Sequence, residues 1–263
     1  DPGAPAPPPN PTGSPGCGKA ARPGVATQHV RAAGHDRSYI LVVPESYSPE
    51  TRYPLVVALH GSGGSAAGAR ASTDLERVAS GKAIFLYLDA GGREWDLDSP
   101  AEKNPDVAFF DLALLQTHNA LCLAPRRVFV TGFSNGAYMA NQLGCRRGDA
   151  IRGVVTHSGG GPYALDGSYD AQGHLVCPQK AVAALVVHGL SDGSVAPSEG
   201  EKSIEHWTYA NKCGSNASPA LAPPCVTFGG CYQPVGACKI PGLGHAIWKD
   251  AGRATWAFVE SLR

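Results

Sequence analysis

Apolar positions along the chain fall into two alternating kinds of run. Short runs rich in Val, Ile, Leu or aromatic residues, bounded by Gly or Pro, predict strands at Ser38–Val43, Leu55–Leu59, Ile84–Leu88, Val128–Thr131, Gly153–Thr156, Val182–Val187 and Val235–Ile240. Between them, Ala66–Ser80, Asp106–Leu121, Asn135–Cys145, Pro197–Asn211 and Ile247–Leu262 can each present an apolar helical face. Strands that are apolar on both faces and alternate with helices imply a mostly parallel central sheet with helices on both faces, an α/β fold. The Cys- and Gly-rich stretch Cys213–Cys238 is the least regular and reads as an excursion from that sheet. Seven of the first sixteen residues are proline, so residues 1–16 are expected to form an extended tail or linker stub. Residues 17–263 are then a single domain.

Composition narrows the partners. The chain of 263 residues carries 22 Lys+Arg against 22 Asp+Glu, and basic residues cluster only in pairs such as Arg126-Arg127. Polyanions are held by concentrated positive charge, so nucleic acid and acidic membrane surfaces are not expected partners. No apolar run approaches the roughly 20 residues that cross a bilayer. A monomer is expected. Eight cysteines with no C-x-x-C pair read as a disulfide framework, hence a secreted, extracellular protein. Cys225 and Cys231 are six apart and no H-E-x-x-H occurs, so no metal is expected.

The candidate chemistry is nucleophilic. Acyl transfer by serine needs a hydroxyl, a base to take its proton, an acid to orient the base, and donors for an oxyanion. The strand-to-helix turn G-x-S-x-G occurs twice, as Gly132-Phe-Ser134-Asn-Gly136 and Gly189-Leu-Ser191-Asp-Gly193. Val128-Phe-Val-Thr131 leads straight into Ser134 and good helix formers follow it, whereas Ser191 runs into Gly193, Pro197 and Gly200. Ser134 is therefore the expected nucleophile. The acid should follow a later strand; Asp192 does so, with Glu199 and Asp250 as competitors. Only His206 and His245 follow Asp192, and His206 falls inside an expected helix, which leaves His245 in a Gly-rich loop as the base. The turn Leu59-His60-Gly61-Ser62-Gly63-Gly64 follows the second strand. It can supply the Ser62 N–H beside that of Asn135 as oxyanion donors. The same glycines loosely fit a dinucleotide fingerprint, but the nearest acid at a strand end, Asp89, lies 26 residues beyond Gly63 rather than about 20.

Gly16-Cys-Gly-Lys19, Tyr39-Ile-Leu41, Leu59-His-Gly-Ser-Gly-Gly64, Phe109-Phe-Asp111, Thr131-Gly-Phe-Ser-Asn-Gly-Ala137 and Gly244-His-Ala-Ile-Trp248 together resemble secreted feruloyl esterases and related polyhydroxybutyrate depolymerases. The likeness runs from about Cys17 to Arg263. It implies an α/β-hydrolase fold, a Ser134–Asp192–His245 triad, no cofactor, and hydrolysis of a small aromatic or polymer-linked ester. Hydroxycinnamate (feruloyl-type) esters are the expected substrates, with polyhydroxyalkanoate or another polyester as the alternative. A catalytically inactive hydrolase fold serving as a binding protein is the alternative from another class, and a complete triad in order argues against it. Trp248 stands three residues after His245, and Trp95 lies in a loop after a strand. Both are expected at the mouth of the site, with His60 also facing substrate.

The cysteine pairing has three layers of expectation. Cys122 precedes the nucleophile strand and Cys145 ends the following antiparallel helix, which predicts Cys122–Cys145. The resemblance implies Cys17–Cys177. Cys213, Cys225, Cys231 and Cys238 allow three pairings, of which Cys213–Cys238 enclosing Cys225–Cys231 is preferred.

Overall fold

A computed structural model describes residues 13–165, 167–219 and 223–262. The expected central strands are β3 (Tyr53–Leu59), β4 (Ile84–Leu88), β5 (Leu123–Phe133), β6 (Gly153–His157), β7 (Ala183–Gly189) and β10 (Val235–Ile240), and they lie parallel to one another. Antiparallel pairs flank them: β1 (Gly24–Ala32) with β2 (His35–Val43) at one edge, β8 (Ala217–Pro219) with β9 (Cys225–Phe228) at the other. The sheet order is β1-β2-β4-β3-β5-β6-β7-β10-β9-β8.

Strand alternation builds two cores. Leu55, Val57 and Leu59 of β3 face the helices α3 (Pro105–Ala120), α4 (Asn135–Arg146) and α5 (Pro197–Ala210), packing with Phe109, Met139 and Trp207. Val56 and Ala58 face the opposite way, toward α1 (Ala66–Ser72), α2 (Leu75–Ala79) and α6 (Ala251–Ser261). Both faces of the sheet are thus buried, which is why its central strands read as continuous apolar runs.

The structure departs from the sequence expectation where segments are half exposed or interrupted. β1 is an edge strand with mostly exposed side chains, so it carries no apolar signature. The expected helix Ala66–Ser80 breaks at Thr73, whose extended backbone separates α1 from α2; Ser, Thr and Asp there compete with helical hydrogen bonds. The excursion near Cys213 contains β8 and β9. The expected tail falls mostly on residues 1–12, outside the described residues. Its last part is seated on the domain: Ser14 Oγ donates to the Leu121 carbonyl at 2.5 Å and accepts from Leu123 N at 2.8 Å.

Every disulfide pairing differs from expectation. The bonds are Cys17–Cys122, Cys145–Cys177, Cys213–Cys231 and Cys225–Cys238. Cys122 and Cys145 do lie at the end of the sheet away from the strands' carboxyl ends, but they diverge sideways. Cys122 sits beside β3, its carbonyl accepting from Tyr53 N at 3.0 Å, while α4 packs toward β6 and delivers Cys145 to the 177 loop. Cys225 meets Cys238 because the two are directly opposite in the β9–β10 register. Non-reducing peptide mapping is expected to return these four linkages, and a Cys122–Cys145 peptide would contradict the arrangement. Replacing Cys17 and Cys122 together by Ser is expected to cost about 2–5 kcal/mol, read as a lower urea midpoint.

Candidate active site

Three loops at the carboxyl ends of parallel strands converge. Ser134 occupies the turn between β5 and α4 with φ 55° and ψ −124°, a region a non-glycine residue enters only under constraint. The turn is tight enough that a Cβ on Gly132 would collide with the Gly136 carbonyl, and one on Gly136 with the carbonyls of Leu59 and His60. Those two small residues therefore let helix α4 start on the serine and bring the turn after β3 against it. The Ser134 amide is held by the His157 carbonyl at 2.9 Å.

His245, in the loop after β10, places Nε2 3.0 Å from Ser134 Oγ and Nδ1 2.8 Å from Asp192 Oδ2. Asp192 follows β7, and its side chain is fully buried. Burial by itself would raise the Asp192 carboxyl pKa, but the hydrogen bond from His245 and the amides of Val195 and Ser194 hold it below the usual carboxylate range. The acid and base loops are stitched to each other: Leu190 N donates to Ile240 O and Ser191 N to Leu243 O, both at 3.0 Å. Phe133 packs against His245 with ring centroids 4.8 Å apart. The arrangement can deprotonate a hydroxyl at Ser134 and stabilise the resulting imidazolium.

The competing residues have other work. Ser191 is exposed in the acid loop. Glu199 accepts from Tyr138 OH at 3.1 Å and pairs with Lys202, and Asp250 precedes α6. His206 is buried on α5 beside Cys177 and Trp207. Asp89 accepts from Ala66 N at 2.6 Å, anchoring the start of α1.

The expected substrate contacts need correction. Trp95 and Trp248 are 4% and 7% exposed and belong to the two cores rather than to a mouth. Trp95 Nε1 donates to the His60 carbonyl at 2.8 Å, and its backbone N donates to Asn135 Oδ1 at 2.7 Å. His60 is buried too. Its Nε2 accepts from Ala90 N at 3.0 Å and its Nδ1 lies 2.8 Å from the Gly61 carbonyl, so the Nδ1–H tautomer satisfies both nitrogens. These residues brace the His60–Gly64 turn, where Gly64 N donates to Gly61 O and Gly63 N to Arg93 O. Connectivity to His245 put Trp248 near the site, and a loop at the carboxyl end of the sheet did so for Trp95, but an indole's facing is set by packing. Phe133 was missed, although its position inside the G-x-S-x-G turn carried the signal.

No protein-family model matches the chain. It is 30% identical over 266 residues to a probable feruloyl esterase C of Aspergillus clavatus, covering 94% of this chain and 90% of that protein. It is likewise 30% identical over 266 residues to feruloyl esterase C of Emericella nidulans, covering 93% and 90%. Among solved structures, an acetyl xylan esterase from Aspergillus awamori matches with a TM-score of 0.69 at 16% identity, covering 89% of this chain and 99% of that one. That last likeness is one of fold.

Two buried histidines give the fold a pH dependence. Burial lowers the pKa of His157 to about 4, and burial followed by the charge of His174 lowers that of His206 to about 4. The unfolded chain takes up these protons near 6.5 and the folded chain resists until about 4. Stability is therefore highest well above 6.5 and falls as pH drops through that window, each histidine adding a slope of roughly 1 kcal/mol per pH unit where it is steepest. The urea midpoint is expected to drop between pH 6.5 and 4.5, with a shallower slope for His206→Gln. Equal slopes would contradict burial as the cause.

Proposed function

The chain belongs to the feruloyl esterase family, and from that premise we propose that Ser134, His245 and Asp192 hydrolyse hydroxycinnamate esters through an acyl-enzyme. It is an ester-hydrolysing enzyme of α/β-hydrolase fold. The observation that carries the residue assignment is the hydrogen-bonded chain from Asp192 through His245 to Ser134, at 2.8 and 3.0 Å. His245 Nε2 takes the Ser134 proton as Oγ bonds to the ester carbonyl carbon. The oxyanion that forms is held by the backbone N–H groups of Asn135 and Ser62. Collapse breaks the bond to the alcohol, which leaves with the proton from His245. Water then gives a proton to His245 as its oxygen bonds to the acyl carbon, and the acid is released as the acyl–Oγ bond breaks and His245 returns that proton to Ser134 Oγ.

Asp192 stays ionised and orients the ring, which its lowered pKa favours. The hydroxycinnamoyl group as acyl part is supported by the named activity of the curated relatives. An extracellular location is supported by four disulfides, which persist in oxidising compartments.

Ser134→Ala is expected to lower kcat on a p-nitrophenyl ester by about 10⁴-fold or more, and Asp192→Asn by about 10⁴-fold. Ser191→Ala is expected to match wild type; comparable losses at Ser191 and Ser134 would contradict the assignment. Wild type is expected to show higher kcat/KM on methyl ferulate than on a hydroxybutyrate oligomer, and the reverse order would point to a polyester instead.

A further inference from the structure

One buried histidine has no part in this mechanism. His157 ends β6 directly opposite Phe133 in the β5–β6 register, and its carbonyl holds the Ser134 amide. The ring is buried. Nε2 lies 3.4 Å from Thr255 Oγ1, while Nδ1 has no hydrogen-bond partner among the described residues. A buried polar atom without a partner is uncommon enough to call for a reason. The environment keeps the ring neutral, with one donor and one acceptor nitrogen.

His157 also lines a cavity of about 270 Å³ between α1 and the sheet. Ala58, Thr131 and Phe133 form its strand wall and Ala69 and Ser72 its helical wall. Ser62, Gly64 and Ser65 of the turn after β3 also line it and are exposed, so the cavity opens beside the expected oxyanion donors. Phe133 borders the cavity and touches His245 as well. The volume is near the lower end for small-ligand pockets, and a mostly apolar lining with a few polar groups, here His157 beside hydroxyls such as those of Thr131 and Ser72, is how such pockets fix orientation.

We propose that this cavity is the acyl pocket, taking a planar aromatic acyl group whose ring hydroxyl donates a hydrogen bond to His157 Nδ1. Nε2–H then donates to Thr255 Oγ1, and both ring nitrogens are satisfied when the acyl group is bound. The inference rests on the hydroxycinnamate reading above and adds to it the residue that recognises the phenol.

The test compares kcat/KM for methyl 4-hydroxycinnamate, methyl cinnamate and p-nitrophenyl acetate in wild type, His157→Phe and Ala69→Phe. Wild type is expected to favour the hydroxylated over the unsubstituted cinnamate by about tenfold, the scale of one hydrogen bond. His157→Phe should bring that ratio close to one. Ala69→Phe, which fills the cavity from α1 and leaves His157 in place, should lower both cinnamates at least tenfold relative to the acetate. If wild type turns over the acetate and neither cinnamate, the hydroxycinnamate reading itself is overturned. If wild type hydrolyses both cinnamates and neither variant shifts the ratios, the pocket assignment alone is overturned.

Discussion

The close approach of three backbone segments around Ser134 governs the rest of the site. Holding the serine at φ 55° costs of order 1–3 kcal/mol, so the surroundings must over-determine it. They do so from both sides of the chain: the His157 carbonyl holds its amide, and its own carbonyl accepts from Ala137 and Tyr138 as α4 begins. The strained turn projects the hydroxyl off the end of the sheet. It also forces Gly132 and Gly136 to be small, which brings the turn after β3 into contact with the start of α4.

A second network fixes that turn. Arg37 donates to Asp106 at 2.5 Å and to the Asp89 carbonyl at 2.9 Å, while the other Asp106 oxygen accepts from Asp96 N at 2.7 Å. The ion pair is almost wholly buried. Such pairs are weak evidence for stability, because desolvation offsets their attraction. Here the geometry points to a structural use: the pair clamps the 89–96 segment at both ends, and that segment carries the Ala90 amide and the Trp95 indole that hold His60. Removing either charge would leave the other buried, so its effect would reach the site through Trp95 and His60.

The crosslinks serve other places. Cys17–Cys122 and Cys145–Cys177 fasten connections remote from the strands' carboxyl ends, and the remaining two secure the short β8–β9 hairpin against β10 and α5. The loops that carry Ser134, Asp192 and His245 contain none. They are held by backbone hydrogen bonds between the acid and base loops and by the buried Asp192 carboxylate, whose oxygens accept from two amides and from His245.

The parallel core and the residues of the hydrogen-bonded Ser134–His245–Asp192 chain were legible in the sequence alone, because both are written in local chemistry. A strand buried on both faces must be a continuous apolar run, and a nucleophile on a strand-to-helix turn must be flanked by residues as small as Gly132 and Gly136. Chain order then left few choices for Asp192 and His245. Features that depend on which surfaces meet emerged only with the fold. Cys225 faces Cys238 through strand register, Cys122 and Cys145 diverge across the sheet, and the half-exposed β1 has no apolar period to betray it. Trp95, Trp248 and His60 belong to loops at the carboxyl ends of strands, yet packing turns them into the cores and behind the turn. His157 reads as one more residue ending a buried strand, and only the α1 helix laid across that face of the sheet makes a cavity beside it.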